Sequence, residues 1–173
     1  MPHRTLIVAF LAVLPLAGCG APRAYQSKLD PLALQQMQTL EFETSKQILF
    51  GSVVSVFQDT GFTIEAADLE TGMITAKSAT QSDRNFFTGT TNALSVKASA
   101  FVEQTRPGFT KTRLNFVEST DSRGYYGGGG THDIPIENAA YYEKIFGKIR
   151  EAVFVREANK GKESPSAAKP STP

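Results

Sequence analysis

Residues 48–76, ILFGSVVSVFQDTGFTIEAADLETGMITA, contain the change from helical to strand spacing on which the fold depends. Thr44 or Ser45, just before this stretch, can cap a helix, because a short hydroxyl side chain accepts a hydrogen bond from the first helical turn. Gly61 can end the helix in the left-handed conformation that glycine adopts readily. Between these ends, apolar or small residues recur at helical spacing and share one face: Ile48, Leu49, Ser52, Val53, Val56 and Phe57.

The rest of the stretch predicts a β-hairpin. Residues 62–66 and 73–77 alternate apolar and polar side chains on either side of a turn that contains Gly72. Farther along the chain, residues 94–103 and 110–118 alternate in the same way. Each of these two segments therefore predicts a strand with one buried face.

A first strand is predicted over residues 39–43, and a last helix over residues 139–157. The helix is indicated by apolar residues at helical spacing: Tyr142, Ile145, Phe146, Ile149 and Val153. The elements then follow the order strand, helix, four strands, helix. An α+β fold buries these apolar stripes most simply, as an antiparallel sheet of about four to five strands with two helices packed on one face. We expect one such domain over residues 38–159.

Two segments of this domain, residues 79–93 and 119–137, lack an apolar stripe and are predicted as long loops. If the strands run alternately up and down, both loops lie at the same end of the sheet. Each loop contains a pair of aromatic residues in a polar setting, and exposed aromatic side chains are frequent anchors in protein interfaces. One alternative stays open, in which Phe86 and Phe87 fold back and pack over the edge of the sheet. The candidate partner-binding residues are Phe86, Phe87, Tyr125 and Tyr126.

The N-terminus has the pattern of a secretory signal peptide. A positive start with Arg4 precedes the apolar run of residues 6–16, which is shorter than the roughly 20 residues that span a bilayer. The residues that follow, Leu16-Ala17-Gly18-Cys19, resemble the lipobox of bacterial lipoproteins. This resemblance implies a diacylglyceryl group on the Cys19 thiol, cleavage before Cys19 and a third acyl chain on the new amine. An ordinary secreted protein is the alternative.

The expected organisation follows from these features. Residues 1–18 are a lipoprotein signal peptide, and residues 19–37 are the lipidated N-terminus and a tether, in which Pro22 and Pro31 interrupt regular structure. Residues 160–173 contain Lys, Glu, Ser, Ala and Pro without bulky apolar side chains, so we expect a disordered tail. Gly20, directly after the cysteine, favours the periplasmic face of the outer membrane as the place of anchoring.

The segment QDTGFTI at residues 58–64, followed by Asp68 and by GMITA at residues 72–76, resembles an uncharacterised family of Gram-negative outer-membrane lipoproteins. Tyr142 and Phe146 resemble positions in the C-terminal helix of that family. The same succession of helix and hairpin is similar to the small α+β domains in the C subunit of the outer-membrane β-barrel assembly complex. These resemblances imply a lipoprotein of the cell envelope, and their motifs are structural.

The charge balance excludes a long-range attraction to nucleic acid. The chain has 18 Lys and Arg against 17 Asp and Glu, so its field attracts neither nucleic acid nor anionic lipid. The cluster of Arg106, Lys111 and Arg113 around Phe109 is interpreted as the solvated outer face of the sheet. Lipidation of Cys19, which is the only cysteine, leaves no thiol for a disulfide.

Motifs with catalytic chemistry are not evident. His132 lies directly beside Asp133 in the sequence, whereas a catalytic base needs a carboxylate that orients its far nitrogen. Histidines and cysteines are too few for the usual metal sites, and the run of glycines at residues 127–130 lacks the Lys and Ser or Thr of a phosphate loop. We therefore expect no enzyme activity, no cofactor and no metal.

The function that we expect is a non-enzymatic interaction or assembly module of the cell envelope. Its partners would be the membrane, through the lipid on Cys19, and another envelope protein. The alternative is a lipoprotein that binds a small ligand or lipid in a groove between helices and sheet. A cavity there would distinguish the alternative, and its lining would include Ile48, Val53, Leu114 and Ile149.

Overall fold

The computed structural model describes residues 27–85, 90–124 and 128–163, and within these ranges the chain has an α+β fold with a large antiparallel sheet. The fold class expected from the sequence is therefore confirmed, whereas the described residues contain seven strands and three helices instead of about four to five strands and two helices. The elements are α1 (Pro31–Gln38), β1 (Thr39–Phe42), α2 (Lys46–Asp59), β2 (Phe62–Asp68), β3 (Met73–Ser78), β4 (Gln81–Asn85), β5 (Thr90–Arg106), β6 (Phe109–Arg123), β7 (Gly129–Pro135) and α3 (Ala139–Glu163).

Two long strands organise the sheet. Strands β5 and β6 form a hairpin that pairs from Thr91 with Arg123 to Arg106 with Phe109, and Gly108 takes a φ of 80° in its turn. The main order of strands is β1-β6-β5-β3-β2. Strand β4 pairs with the first part of β5, and β7 pairs with the last part of β6. The hairpin is therefore longer than the part of the sheet that carries the core.

Helices α2 and α3 pack against each other and cover one face of the sheet, as the sequence predicts. On β6, Thr112, Leu114 and Phe116 are fully buried on this face. Since successive side chains of a strand point to opposite faces, Arg113 and Asn115 lie on the other side, which we call the outer face. None of the helices in the described ranges has both the length and the apolar character needed to cross a membrane.

The hairpin of β2 and β3 requires a glycine at one position. Gly72 has a φ of 81°, a conformation that side chains with a Cβ rarely adopt. A Cβ at this position would also collide with the carbonyl oxygen of Val102. The amide of Val102 in turn donates to the Gly72 carbonyl over 2.8 Å, so this turn packs directly onto β5.

Residues 31–37, which the sequence analysis assigned to the tether, belong to α1. Asp30 caps this helix and accepts a hydrogen bond from the Leu32 amide over 3.0 Å, and Pro31 is the first helical residue. Proline is favoured at that position, where its missing N–H needs no partner. At the other end of the chain, α3 continues to Glu163 and includes the first residues of the segment that we expected to be a disordered tail.

The long loops expected over residues 79–93 and 119–137 are also wrong. Most of their described residues belong to β4, to the ends of β5 and β6, and to β7. These strands are held by backbone pairing and cover no core, so their side chains are polar on both faces and give no alternating signal. Leu94, expected on the buried face, is 38% exposed for the same reason.

Candidate functional site

The five site residues proposed from the sequence lie outside the described residues: Cys19, Phe86, Phe87, Tyr125 and Tyr126. The described residues include the strands on either side of both aromatic pairs. Asn85 pairs with Thr90 across the first gap, and Arg123 pairs with both Thr91 and Gly129 at the second. The strands that lead into and out of the two aromatic segments therefore end at the same end of the sheet, as expected from alternating strand directions.

These strands form a four-stranded ribbon, which we call the sheet extension and define as residues 81–85, 90–94, 117–123 and 129–135. Short polar contacts join its strands. The Ser122 hydroxyl donates to Asn92 Oδ1 over 2.9 Å, and the Thr131 hydroxyl donates to Asp121 Oδ1 over 2.5 Å. Backbone pairing and such contacts stabilise the sheet extension without a hydrophobic core.

An ion pair lies at the base of the sheet extension on the outer face. Lys97 Nζ is 3.1 Å from Asp133 Oδ2, which joins β5 to β7 across β6. The hydrogen bond from the Ser119 hydroxyl is the main cause that lowers the pKa of Asp133, and the Lys97 ammonium adds to it. Both partners are 46% exposed, so the pair contributes little to stability.

The described residues contain little that could perform chemistry. His132 was expected in a loop, but it lies on β7, and its neighbour Asp133 points to the opposite face of the sheet. In the described ranges no group of three or more His, Cys, Asp or Glu side chains is placed to hold a metal ion. What the sheet extension offers is a surface of hydroxyl, amide and charged groups that a partner can contact.

The space between helices and sheet is filled by side chains. Val53, Leu114 and Ile149, expected to line a cavity there together with Ile48, are fully buried in one core cluster, and Ile48 packs partly buried against it. Phe116 lies in the middle of this cluster, with its ring centroid 5.9 Å from that of Phe57 and 5.5 Å from that of Tyr142. Packing of this kind does not favour a ligand groove between helices and sheet.

The outer face contains the cations that the sequence analysis interpreted as solvated. Arg106 lies 3.7 Å above the ring of Phe109 and 3.4 Å from a carboxylate oxygen of Glu41. Lys111 Nζ lies 2.7 Å from Glu103 Oε1. These pairs are exposed and belong to an ordinary solvated sheet surface.

Arg113 has different surroundings, which the sequence analysis missed. Its guanidinium donates to Gln38 Oε1 from Nε over 3.3 Å and from Nη2 over 3.1 Å. Gln38 ends α1, and this helix and the outer face enclose an open groove of about 320 Å³. The sequence signal that could have revealed it is Asp30-Pro31, a typical start of a helix. The groove is lined by Leu34, Gln38, Met73, Phe101, Arg113 and Asn115, among others.

A comparison of the chain with protein-family models finds no match, and a comparison with curated proteins finds none either. Among solved structures, the chain is similar to a DUF4468 family protein from Bacteroides ovatus ATCC 8483. The two share 9% sequence identity over 78% of this chain and 88% of that chain, with a TM-score of 0.37. Likeness at this level supports no conclusion about function, so the proposals below rest on the residues of this chain.

Proposed function

We propose that the chain is a lipid-anchored lipoprotein of the cell envelope that acts as a non-enzymatic interaction module. The lipid on Cys19 holds it at the periplasmic face of the outer membrane, and the end of the sheet extension contacts an envelope protein. The observation that supports this proposal most is the strand pairing, which brings the flanks of both aromatic segments to one end of the sheet.

The composition of the sheet extension supports a contact role. It contributes no residue to the hydrophobic core cluster, so folding of the core does not account for its length. It carries exposed hydrogen-bonding groups on both faces, and the sequence adds two aromatic pairs at its end. Polar groups around a few aromatic anchors are the usual composition of a protein interface.

The test replaces Phe86, Phe87, Tyr125 and Tyr126 together with serine. We expect the melting temperature to stay close to that of the wild type, because the described core lies elsewhere, and recovery of the partner from detergent-solubilised envelopes to fall by about tenfold or more. The readouts are a thermal melt and quantitative mass spectrometry of the captured proteins.

The matched control is Phe154→Ser. Phe154 is 74% exposed on α3, so the control removes an exposed aromatic side chain away from the sheet extension. The control should leave partner recovery unchanged. Unchanged recovery with the fourfold serine variant would show that the partner binds elsewhere, and a collapse of its melting temperature would show that the aromatic residues pack in the fold.

A further inference from the structure

The groove on the outer face is lined by both apolar and polar side chains. Met73, Phe101 and Arg113 stand next to one another in a row across β3, β5 and β6, and Asn115 belongs to the next row. Leu34 of α1 also lines the groove. Met73 is 43% exposed and Phe101 40% exposed, so two large apolar side chains remain in contact with water beside one cation.

The charge of Arg113 is not neutralised by the group that it contacts. Lys97, Arg106 and Lys111 on the same face each pair with a carboxylate. The Gln38 amide, which Arg113 contacts, is neutral and accepts from only two of the guanidinium donors. A guanidinium presents five donors in a planar fork that matches a carboxylate, so an anionic group would complement the groove.

We propose that this groove binds a small amphiphile of the fatty-acid class, with one carboxylate and one unbranched apolar chain. The carboxylate accepts hydrogen bonds from Arg113, and the apolar chain lies against Leu34, Met73 and Phe101. This site meets the sheet extension only at Pro135, among the residues that line the groove, and it lies on the face of the sheet opposite to the two covering helices. It does not require the lipid anchor.

The size and chemistry of the groove favour such a ligand over a polypeptide segment. A volume of about 320 Å³ is near the lower end for small-molecule sites. Below the groove, β5 is paired with β3 on one side and with β6 on the other, so its backbone groups are not available to a peptide. A peptide would have to bury amide groups against apolar side chains without partners, which costs free energy. An unbranched hydrocarbon chain has no such groups.

The test measures binding of decanoate to the chain from residue 20 onward, which has no acyl group. Every described strand pair and every core residue lies within residues 27–163, so this chain keeps the contacts of the fold. Calorimetry should detect one decanoate per chain. Amide resonances of Ser99, Phe101 and Asn115, which line or border the groove, should shift on binding.

Arg113→Gln should weaken decanoate binding by about tenfold or more, because it removes a charge-assisted pair. The matched control is Lys111→Gln, which removes a cation from the same strand and face but outside the groove. It should leave the affinity unchanged. The neutral analogue 1-decanol should bind wild type and Arg113→Gln equally weakly. Phe101→Ser provides a second variant at an exposed position, and it should also weaken decanoate binding.

Three results would overturn the proposal. The first is no heat and no resonance shift at about 1 mM decanoate. The second is equal affinity of the wild type and Arg113→Gln for decanoate. The third is a set of shifted resonances away from the groove, for example on the sheet extension. Loss of the lipid anchor or of the envelope partner would leave all these measurements unaffected, so the two proposals fail separately.

Discussion

Tyr142 shows how a single residue completes the sheet. Strand β1 pairs with β6 as far as Arg113, and β7 pairs with β6 from Val117 onward. In the gap between them, the Phe116 amide donates to the Tyr142 hydroxyl over 3.4 Å. Gln38 Nε2 donates to the same oxygen over 3.3 Å, so a side chain of α3 fills the missing place of a strand and holds α1 to it.

Tyr142→Phe tests this role through its dependence on pH. At pH 7 the variant should lose about 1–3 kcal/mol of unfolding free energy, because a buried amide loses its acceptor. Burial raises the pKa of Tyr142 above its ordinary value of 10.0, although the hydrogen bonds from Gln38 and Phe116 oppose this shift. The unfolded phenol therefore ionises first, and this part of the stability is present below about pH 10 and lost as the pH rises further.

The measurement is urea unfolding between neutral and alkaline pH. The difference between wild type and Tyr142→Phe should be constant below about pH 10 and shrink above it. Tyr141→Phe is a suitable control at pH 7, since its ring also packs on Phe116 with centroids 5.0 Å apart. Above about pH 10 it is not a control, because burial raises the pKa of Tyr141 as well. Equal unfolding free energies of wild type and Tyr142→Phe at pH 7 would contradict the proposed closure of the gap.

At the scale of elements, the start of α2 illustrates what a sequence leaves open. Thr44 and Ser45 are both chemically able to cap the helix. In the structure the Ser45 hydroxyl accepts from the Ile48 amide, and the Thr44 hydroxyl instead donates to Glu157 of α3. The Thr44 carbonyl also accepts from the Thr110 hydroxyl over 2.8 Å, so tertiary contacts engage Thr44 and leave the cap to Ser45.

Ser45→Ala should therefore lower the unfolding free energy by about 1 kcal/mol, the usual effect of losing an N-terminal cap. Gln47→Ala, at an exposed position in the first turn, is the matched control and should not destabilise the protein, because alanine is a strong helix former. Chemical unfolding of both variants gives the comparison. If Gln47→Ala loses as much stability as Ser45→Ala, the cap assignment is wrong.

At the scale of the whole molecule, the proposed anchor lies before the described residues in the sequence. The described core and sheet lie entirely within residues 27–163, and Cys19 precedes them. If Cys19 is lipidated as proposed, Cys19→Ser should abolish incorporation of labelled palmitate and release the protein from membrane fractions, because the proposed acyl chains would provide its membrane affinity. Incorporation of palmitate into the Cys19→Ser protein would rule out lipidation at this residue.

The elements that the sequence itself determined are those that bury an apolar stripe. Helices α2 and α3, the hairpin of β2 and β3, and the middle of β5 and β6 lie where periodicity predicts them. Periodicity reports burial on one face, so it identifies residues such as Phe57, Leu114 and Ile149, which are fully buried.

Only the tertiary structure decided the remaining features. Strands β4 and β7 exist because β5 and β6 extend beyond the core and offer edges for pairing, which no local pattern records. The groove depends on Gln38 meeting Arg113 and Asn115, which are 75 and 77 positions away in the chain. Contacts between such distant residues arise only when the helix and the sheet pack together. For that reason the sequence indicated the core, whereas folding created the surfaces on which both proposals of function depend.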